Sequence, residues 1–289
     1  MSSTSEESEM QNDSGEDVDI ESVVSDRDLE AATDELTFYF GCASGASKAA
    51  LRRLEEPNIM ISFATKNHYS WDGIESLFID SGGFSILVSD KYDDHPSVNT
   101  YRSYLRGQDP EYYTLQDYPC EPDLLDEHDR TVDDHIQMTV DKHVECLDRI
   151  PESIGTPVPV IQGWEIEDYL DCIDRFREQG ILPHPYVSVG SVKRKYDPVA
   201  SRDIVKAVRK ELGSDTNIHA LGVKTQVFSQ TDAALYIDSA DSNAYDRAAS
   251  RRHGTGRWEA SAIEYLKMKL SIEELTNDHE TQQQLSDFT

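Results

Sequence analysis

The 289-residue chain is short of basic residues, has no closely spaced cysteines and has no long apolar segment. Its 27 lysines and arginines stand against 56 aspartates and glutamates, for a formal net charge of −29. An acidic surface repels phosphate, so this charge argues against a nucleic-acid partner. The apolar runs are too short to span a membrane, and the polar N-terminus predicts no secretory signal. The four isolated cysteines predict neither a disulfide framework nor a four-cysteine zinc site, and they favour a reducing cytoplasm.

The acidic charge has two interpretations. The first is adaptation to high intracellular salt, where acidic, lysine-poor surfaces keep proteins soluble, and 11 of the 27 basic residues are lysine. The second is a cationic partner. We favour the first interpretation, because the acidic residues are spread along the whole chain.

Residues 1–35 differ in composition from the rest of the chain. They carry 13 acidic residues and a single basic one, Arg27, and they contain no aromatic residue. Such a segment cannot bury enough apolar surface to offset the entropy of ordering its backbone. We predict a disordered acidic leader over residues 1–35, one folded domain over residues 36–275 and a polar tail over residues 276–289.

Short β-rich runs alternate with longer amphipathic stretches from residue 36 onward. Eight runs predict strands: Thr37–Cys42, Ile59–Ala64, Leu77–Asp80, Tyr112–Asp117, Val158–Gln162, Tyr186–Gly190, Ile218–Gly222 and Leu235–Asp238. Helices are predicted between them, among others at Thr131–Arg149, Glu165–Gln179 and Pro198–Leu212. Eight strands alternating with helices over about 250 residues predict an α/β fold of the (β/α)8 TIM-barrel type, with a doubly wound open sheet as the alternative.

Polar residues follow the predicted strands, and the C-terminal ends of barrel strands are where active sites form. Three of these ends carry the carboxylates Asp80, Asp117 and Asp241. Facing carboxylates suit a divalent metal ion, an acid/base pair, or a nucleophile with an acid/base partner at a sugar carbon. A single aspartate serves equally well as a helix cap or in a turn. Three on one face of a barrel favour a functional site.

Several short motifs resemble, in order, those of the tRNA-guanine transglycosylases. They are DSGGF at Asp80–Phe84, VIQG at Val160–Gly163, VSVG at Val187–Gly190, HALGV at His219–Val223 and IDSAD at Ile237–Asp241. Each motif is short, but their order and spacing match that family from about residue 37 to about residue 257.

The resemblance implies base exchange at a nucleoside, with Asp241 as the nucleophile that attacks C1′ and forms a covalent glycosyl-enzyme. Asp80 would be the acid/base for the leaving and incoming bases. Asp117 would accept hydrogen bonds from N1–H and the 2-amino group of guanine, which suits a carboxylate with two oxygens. Gln162 and the backbone of Gly190 would contact the carbonyl side of the base. The implied substrate-binding set is completed by Ser81, Gly82, Gly163 and Ser191.

Two departures narrow the resemblance. The zinc motif of the tRNA enzymes is absent, since no cysteine follows Cys172, so we predict no metal and no cofactor. The chain also lacks the extra C-terminal RNA-binding domains of the archaeal tRNA enzymes. With the stretch Asp117–Pro122, these departures resemble the DpdA group, viral and bacterial relatives that insert 7-deazaguanines into DNA. Combined with the acidic composition, this predicts a halophilic archaeon or its virus as the source.

The implied partners are guanine-containing DNA and a free 7-deazaguanine base such as preQ0. A base inside a duplex stack cannot reach a barrel pocket, so the enzyme would flip it out or act on single strands. A tRNA transglycosylase and a non-catalytic nucleic-acid-binding barrel subunit are the alternatives. We predict no membrane partner, and a homo-oligomer is left open.

The densest basic stretch of the sequence follows the implied nucleophile. Arginine suits phosphate recognition through its planar fork of donors. Ion pairs on a solvated helix face are the ordinary alternative. Because of their place beside the site, we favour contact with the nucleic-acid backbone for Lys193, Arg194, Arg247, Arg251, Arg252 and Arg257.

Overall fold

The computed structural model describes residues 35–65, 71, 73–89, 96–192 and 197–274. The strands within these residues are β1 Thr37–Gly41, β2 Asn58–Ser62, β3 Ser76–Asp80, β4 Tyr112–Thr114, β5 Thr156–Val158, β6 Val160–Ile161, β7 Tyr186–Val189, β8 Asn217–Ala220 and β9 Ser239–Ser242. All are parallel, in the order β5-β4-β3-β2-β1-β9-β8-β7-β6. Residues 1–34 of the predicted leader and the predicted tail lie outside the described residues, so the domain boundaries stay predictions.

The sheet curves into a barrel whose ends meet at residues 156–161. The first half of this segment, β5, pairs with β4, and the second half, β6, pairs with β7. Pro157 and Pro159 have no N–H to donate. A single continuous strand at this place could therefore not form complete hydrogen-bond ladders with both β4 and β7. The carbonyl of Pro159 instead accepts the N–H of Ser188 at 2.8 Å. Strands β5 and β6 together occupy one of the eight strand positions around the barrel. The predicted (β/α)8 barrel is therefore confirmed.

Helices follow the strands along the chain. They are α1 Gly45–Arg53, α2 Gly83–Leu87, α3 Val98–Gln108, α4 Pro122–Glu127, α5 Val132–Arg149, α6 Ile166–Glu178, α7 Pro198–Leu212, α8 Gln226–Gln230, α9 Ala244–His253 and α10 Trp258–Glu273. Helices α5, α6 and α7 confirm the three helix predictions. Helix α7 shows why the sequence was informative: Pro198 occupies its first turn, Asp197 caps Val199 N–H at 2.8 Å, and Gly213 ends it with φ of +76°. None of the described helices is long and apolar enough to cross a bilayer.

Three groups of apolar side chains form the core. The largest group lies between strands and helices, and the smallest lies beside α2 and α4 with Leu87, Tyr118 and Leu124. The group inside the barrel consists of Tyr39, Met60, Phe78, Val158 and Tyr186. Successive inward positions along a strand are two residues apart. The next inward position after Phe78 is therefore Asp80, so the aromatic layer lies beneath the polar ends of the strands.

The last predicted strand, Leu235–Asp238, is wrong. The structure has a short 3-10 helix at Ala233–Tyr236, and β9 begins at Ser239. The Ser-Ala-Asp-Ser sequence of β9 has little β-propensity, and its pairing with both β1 and β8 imposes the extended conformation. Asp241 therefore belongs to a strand rather than to the loop after it.

Candidate active site

The C-terminal ends of the strands surround a cavity of about 610 Å³. This volume falls in the range of about 300–1,000 Å³ that is usual for small-molecule sites. Its charged lining residues are the carboxylates Asp80, Asp117, Glu121 and Asp241 and the cations Lys224 and Arg247. Among the other predicted substrate-binding residues, those that line the cavity are Gly82, Gln162, Gly190 and Ser191. Three distant segments of sequence thus bring their aspartates to one place.

Asp241 is held through one of its two carboxylate oxygens. Its Oδ1 accepts the N–H of Gly222 at 2.6 Å and lies 3.3 Å from Nε2 of His219. No hydrogen bond from another described residue reaches Oδ2, and the side chain is 13% exposed. The carboxylate is therefore fixed in orientation while one oxygen remains available to a ligand.

A chain of polar groups inside the barrel supports His219. Its Nδ1 lies 2.7 Å from Oγ of Ser239, and this oxygen lies 2.5 Å from the hydroxyl of Tyr186. Burial raises the pKa of Tyr186, so its hydroxyl keeps its proton and donates. Ser239 then donates to Nδ1, and Nε2–H is left to donate to Asp241, an assignment that gives each donor one acceptor. The sequence named His219 only as the start of a motif, and the structure places it in contact with the nucleophile candidate.

Asp117 is more deeply buried, at 4% exposure. Its Oδ1 accepts the hydroxyl of Ser81 at 2.7 Å, and its Oδ2 accepts Nε2–H of Gln162 at 2.6 Å. Burial raises the pKa of Asp117 to about 7; the two hydrogen bonds oppose this shift, and the nearby carboxylates of Asp80 and Glu121 add to it. The group is thus divided between its acid and carboxylate forms near neutral pH.

Glycines leave the space that this arrangement needs. A Cβ on Gly190 would lie 2.3 Å from Nε2 of Gln162, and one on Gly83 would lie 2.6 Å from the backbone oxygen of Asp117. Gly82 has a φ of +77°, which favours glycine, and its N–H donates to Oδ1 of Asp80 at 3.0 Å. The DSGGF motif therefore orients Asp80 and makes room for Asp117.

Ser191 links Gln162 to a fourth carboxylate. Its Oγ lies 2.8 Å from Oε1 of Gln162 and 3.2 Å from Oε2 of Glu121. Glu121 is 4% exposed and has no assigned role in the sequence analysis. It stands at the N-cap position before Pro122, but its side chain makes no capping hydrogen bond and lines the cavity.

Two predicted substrate-binding residues, Ser81 and Gly163, are absent from the cavity lining. Ser81 is fully buried and acts on the cavity through its bond to Asp117. Gly163 packs against α6, since a Cβ there would lie 2.7 Å from the backbone nitrogen of Tyr169. The backbone of Gly190 is already engaged, because its N–H donates to the carbonyl of Ile161 and its carbonyl accepts the hydroxyl of Tyr169, both at 2.9 Å.

The predicted phosphate-binding residues are spread over different environments. Arg247 is exposed at the cavity, with its Nε bound to Oδ1 of Asn243 at 3.1 Å. Arg252 pairs with Glu264 at 2.6 Å and so links α9 to α10. Arg251 and Arg257 are exposed nearby, and Lys193 and Arg194 lie outside the described residues. Lys224, which has no role in the sequence analysis, is a second cation of the cavity wall.

Among the described residues, no group of three or more histidine, cysteine, aspartate or glutamate side chains could hold a metal ion. The four cysteines are buried and unpaired. Burial raises the pKa of Cys42 and of Cys172 to about 12, so these two thiols stay protonated at neutral pH.

The fold and site define a parallel β/α barrel with an acidic pocket at the C-terminal ends of its strands, the usual place for a barrel active site. Residues 72–264 match the model of the DpdA family, described as DeoxyPurine in DNA protein A. The match covers about two thirds of the chain and includes Asp80, Asp117, Gln162 and Asp241. The chain belongs to the DpdA family, which confirms that resemblance. No curated protein matches it.

Proposed function

We propose that this protein exchanges guanine in DNA for a 7-deazaguanine base. Membership of the DpdA family supports DNA as the substrate, because the family description names deoxypurines in DNA. The observation that carries the proposal is that Asp80, Asp117 and Asp241 line one cavity. Base exchange at C1′ needs a nucleophile, a proton carrier and a group that recognises the base, and these three carboxylates supply one each.

In the first step, Oδ2 of Asp241 attacks C1′, and the bond between C1′ and N9 of guanine breaks. The electron pair of that bond goes to the base, which takes a proton from the carboxylic acid of Asp80. Gly222 and His219 hold Oδ1, so the nucleophile is already oriented when the nucleoside binds. The product of this step is a glycosyl ester on Asp241 and a free neutral base.

In the second step, the incoming 7-deazaguanine gives its N9 proton to the carboxylate of Asp80. N9 then attacks C1′, and the carboxylate of Asp241 leaves. Two displacements at one carbon give net retention of configuration, as in retaining glycosidases. Asp80 returns to its acid form and Asp241 to its carboxylate form, so no other reactant is consumed.

Asp117 recognises the edge that both bases share. Its two oxygens accept N1–H and the 2-amino group, while Ser81 and Gln162 hold the carboxylate in place. Nε2 of Gln162 has a second hydrogen, which donates to O6 of the base. Because guanine and its 7-deaza analogues have the same groups at these positions, one pocket serves the leaving base and the incoming base.

The target nucleotide leaves the base stack to reach this pocket. Guanine in a duplex is accessible to a barrel cavity after it is flipped out or when the strand is single. Arg247, exposed at the cavity, contacts a phosphate beside the flipped nucleotide. The remaining arginines of α9 and the loop after it give a weaker, salt-dependent attraction to the backbone.

An exchange assay tests the proposal. The protein is incubated separately with guanine-containing duplex DNA, single-stranded DNA and tRNA, each with isotope-labelled guanine, and the nucleosides are then analysed by mass spectrometry. We expect label in DNA and none with the Asp241→Asn variant. Label in tRNA alone would establish the tRNA enzyme instead. Label in none of the three, with DNA binding equal in wild type and Asp241→Asn, would establish a binding barrel.

The acidic composition supports salt adaptation of the same activity. High salt weakens attraction between arginines and phosphates, so contacts of Asp117 and Gln162 with the base would carry more of the recognition. We expect exchange into DNA to persist in molar KCl. A sharp optimum at low salt would contradict this part of the proposal.

A further inference from the structure

Three buried polar side chains beneath the cavity, those of Tyr186, Ser239 and His219, form an interior series. The hydroxyl of Tyr186 lies 2.5 Å from Oγ of Ser239, and this Oγ lies 2.7 Å from Nδ1 of His219. None of the three is among the described residues that line the cavity. Polar groups are costly to bury in a barrel interior, so their place among aromatic side chains calls for a function.

The interior series reaches the site through His219. This residue pairs with Ser239 across strands β8 and β9, and the inward position two residues after Ser239 is Asp241. Nε2 of His219 lies 3.3 Å from Oδ1 of Asp241, the oxygen that also accepts the N–H of Gly222 at 2.6 Å. The register of the two strands thus brings one end of the series to the proposed nucleophile.

The hydrogens of the interior series have an arrangement that gives each of them an acceptor. Among the described residues, the hydroxyl of Tyr186 has Ser239 as its hydrogen-bond partner. Burial raises the pKa of Tyr186, so the hydroxyl keeps its proton and donates it to Ser239. Ser239 then donates to Nδ1 of His219, and an imidazole that accepts at Nδ1 carries its hydrogen on Nε2. That hydrogen faces Oδ1 of Asp241.

A hydrogen fixed on Nε2 serves both displacements at C1′. Before the first, it holds Oδ1 of Asp241 so that Oδ2 faces the nucleoside. In the second, the bond between Oδ2 and C1′ breaks, its electron pair returns to the carboxylate, and the hydrogen bond at Oδ1 stabilises the charge as it develops. No proton passes to the carboxylate. With the hydrogen on Nδ1 instead, a lone pair of His219 would face Asp241 and repel it.

We infer that Tyr186, Ser239 and His219 are positioning residues, which hold the histidine in its Nε2–H form and thereby fix Asp241 for attack and for departure. This inference rests on the proposed function. It extends the site to a tyrosine inside the barrel that does not line the cavity. Loss of the series should slow the chemical steps and leave the affinity for the base unchanged.

Two substitutions of His219 separate the Nε2 hydrogen from the rest of the side chain. In His219→Gln an amide nitrogen takes the place of Nε2, whereas the shorter side chain of His219→Asn leaves Asp241 without that donor. We expect His219→Asn to lower kcat for labelled-guanine exchange into DNA by about tenfold to about a hundredfold, the scale of a hydrogen bond to a charged group, with KM for the base within about threefold. His219→Gln should keep kcat within about threefold of wild type.

Removal of a hydroxyl tests the remote end of the series. Tyr186→Phe leaves Ser239 without its donor and should lower kcat by about threefold to about tenfold, again with unchanged KM. Tyr39→Phe is the matched control and should match wild type, because Tyr39 belongs to the same aromatic group but its hydroxyl bonds Ser76 at 3.0 Å. Added to His219→Asn, Tyr186→Phe should change kcat no further, because its action passes through the imidazole.

Nitrogen NMR reads the tautomer without turnover. In protein with isotope-labelled histidine, the signals of His219 are assigned by their absence from His219→Gln. We expect a hydrogen on Nε2 and none on Nδ1 in wild type, and a change of that pattern in Ser239→Ala. A hydrogen on Nδ1 in wild type would overturn the inference.

Equal kcat in wild type and folded His219→Asn would overturn it as well, as would equal kcat in Tyr186→Phe and Tyr39→Phe. Thermal unfolding establishes which variants fold, and where one does not, the wild-type spectrum and the remaining variants decide. Absence of labelled guanine from DNA with the wild type would instead contradict the proposed function. The spectrum tests the series in either case, so the two failures are distinguishable.

Discussion

Buried charged side chains have different kinds of partner at the two ends of the barrel. At the N-terminal end, each buried charge has a partner of opposite sign. Arg209 donates to Asp238 at 2.5 Å and to the carbonyl of Thr216 at 2.7 Å. Glu56 accepts Lys269 at 3.3 Å. These contacts join helices α7 and α10 to the starts of the strands, and they hold the barrel together.

At the C-terminal end, neutral donors hold the carboxylates of Asp117 and Asp241. Ser81 and Gln162 bind Asp117, while Gly222 and His219 bind Asp241. Neutral donors orient a carboxylate without neutralising it, so its charge stays available to a substrate. On the proposed function, the N-terminal end serves stability and the C-terminal end serves binding and chemistry. Substitutions at the two ends should therefore separate the two properties.

The largest effect is expected from Asp241→Asn at the C-terminal end. Removing a nucleophile abolishes the covalent step, so labelled-guanine exchange into DNA should fall by at least about 10⁴-fold. The barrel should remain as stable as wild type, because Asn keeps the shape and accepts the bond from Gly222. Exchange rates and thermal unfolding are measured on the same samples. Exchange within about tenfold of wild type would contradict the assignment of the nucleophile.

Arg209→Met at the N-terminal end should have the opposite pattern. It removes a buried guanidinium, leaves three backbone carbonyls without its N–H donors and breaks the pair with the partly exposed Asp238, so the free energy of unfolding should fall by about 3 kcal/mol. Exchange per folded molecule should be unchanged, since Arg209 lies at the other end of the strands.

Arg202→Met is the control for that prediction. Arg202 pairs with Asp232 at 2.7 Å, but both side chains are partly exposed, at 25% and 35%. Such a pair should contribute less than about 1 kcal/mol. Denaturant unfolding compares the two variants. A loss of stability in Arg209→Met no greater than in Arg202→Met would remove the distinction between the two ends.

Gly190→Ala tests how the cavity positions Gln162. The added Cβ would lie 2.3 Å from Nε2, so Gln162 must move away from Asp117. We expect KM for the incoming base to rise by about tenfold to a hundredfold, because two hydrogen bonds to the base lose their geometry. Stability should fall little if Gln162 can rotate. An unchanged KM would show that Gln162 does not position the base.

A smaller effect should appear in the pH dependence of base binding. The pKa of Asp117 is about 7. The carboxylate form accepts both base donors, so the affinity for free base should increase as pH rises through about 7 and level off above it. Below that pH it should fall about tenfold per unit.

Calorimetric titration of guanine from about pH 5 to about pH 9 measures this dependence. Asp117→Asn should bind more weakly and lose the transition near neutrality, because an amide does not titrate there. A transition that survives in Asp117→Asn would assign it to another group of the cavity.

The sequence predicted regular elements where local signals agree. Helix α7 has a proline in its first turn, a capping aspartate and a terminal glycine, so its bounds Pro198–Leu212 were predicted as observed. Strand β9 has no such signal. Two of its residues, Ser239 and Asp241, are polar because they face the barrel interior, where both contact His219. Burial inside a barrel depends on the other strands, which local propensity does not report.

The sequence predicted the site residues that resemble family motifs. It did not predict those whose place in the site depends on packing between distant segments. Asp80 ends β3, Asp117 follows β4 and Asp241 lies in β9, all at one end of the barrel, and the family resemblance singled out all three. The sequence predicted no role for Glu121, because its burial depends on the turn after β4 and on the contact with Ser191. The role of His219 beneath Asp241 depends on the register between β8 and β9, which pairs His219 with Ser239.

The central claim is that Asp241 carries the sugar during exchange. The most direct measurement is to mix the protein with a guanine-containing DNA oligonucleotide, quench with acid, and map any covalent protein–DNA species by mass spectrometry. We predict release of free guanine and an adduct on the peptide that contains Asp241, absent from Asp241→Asn. Rapid exchange without any adduct in single-turnover samples, or an adduct on another residue, would contradict the account.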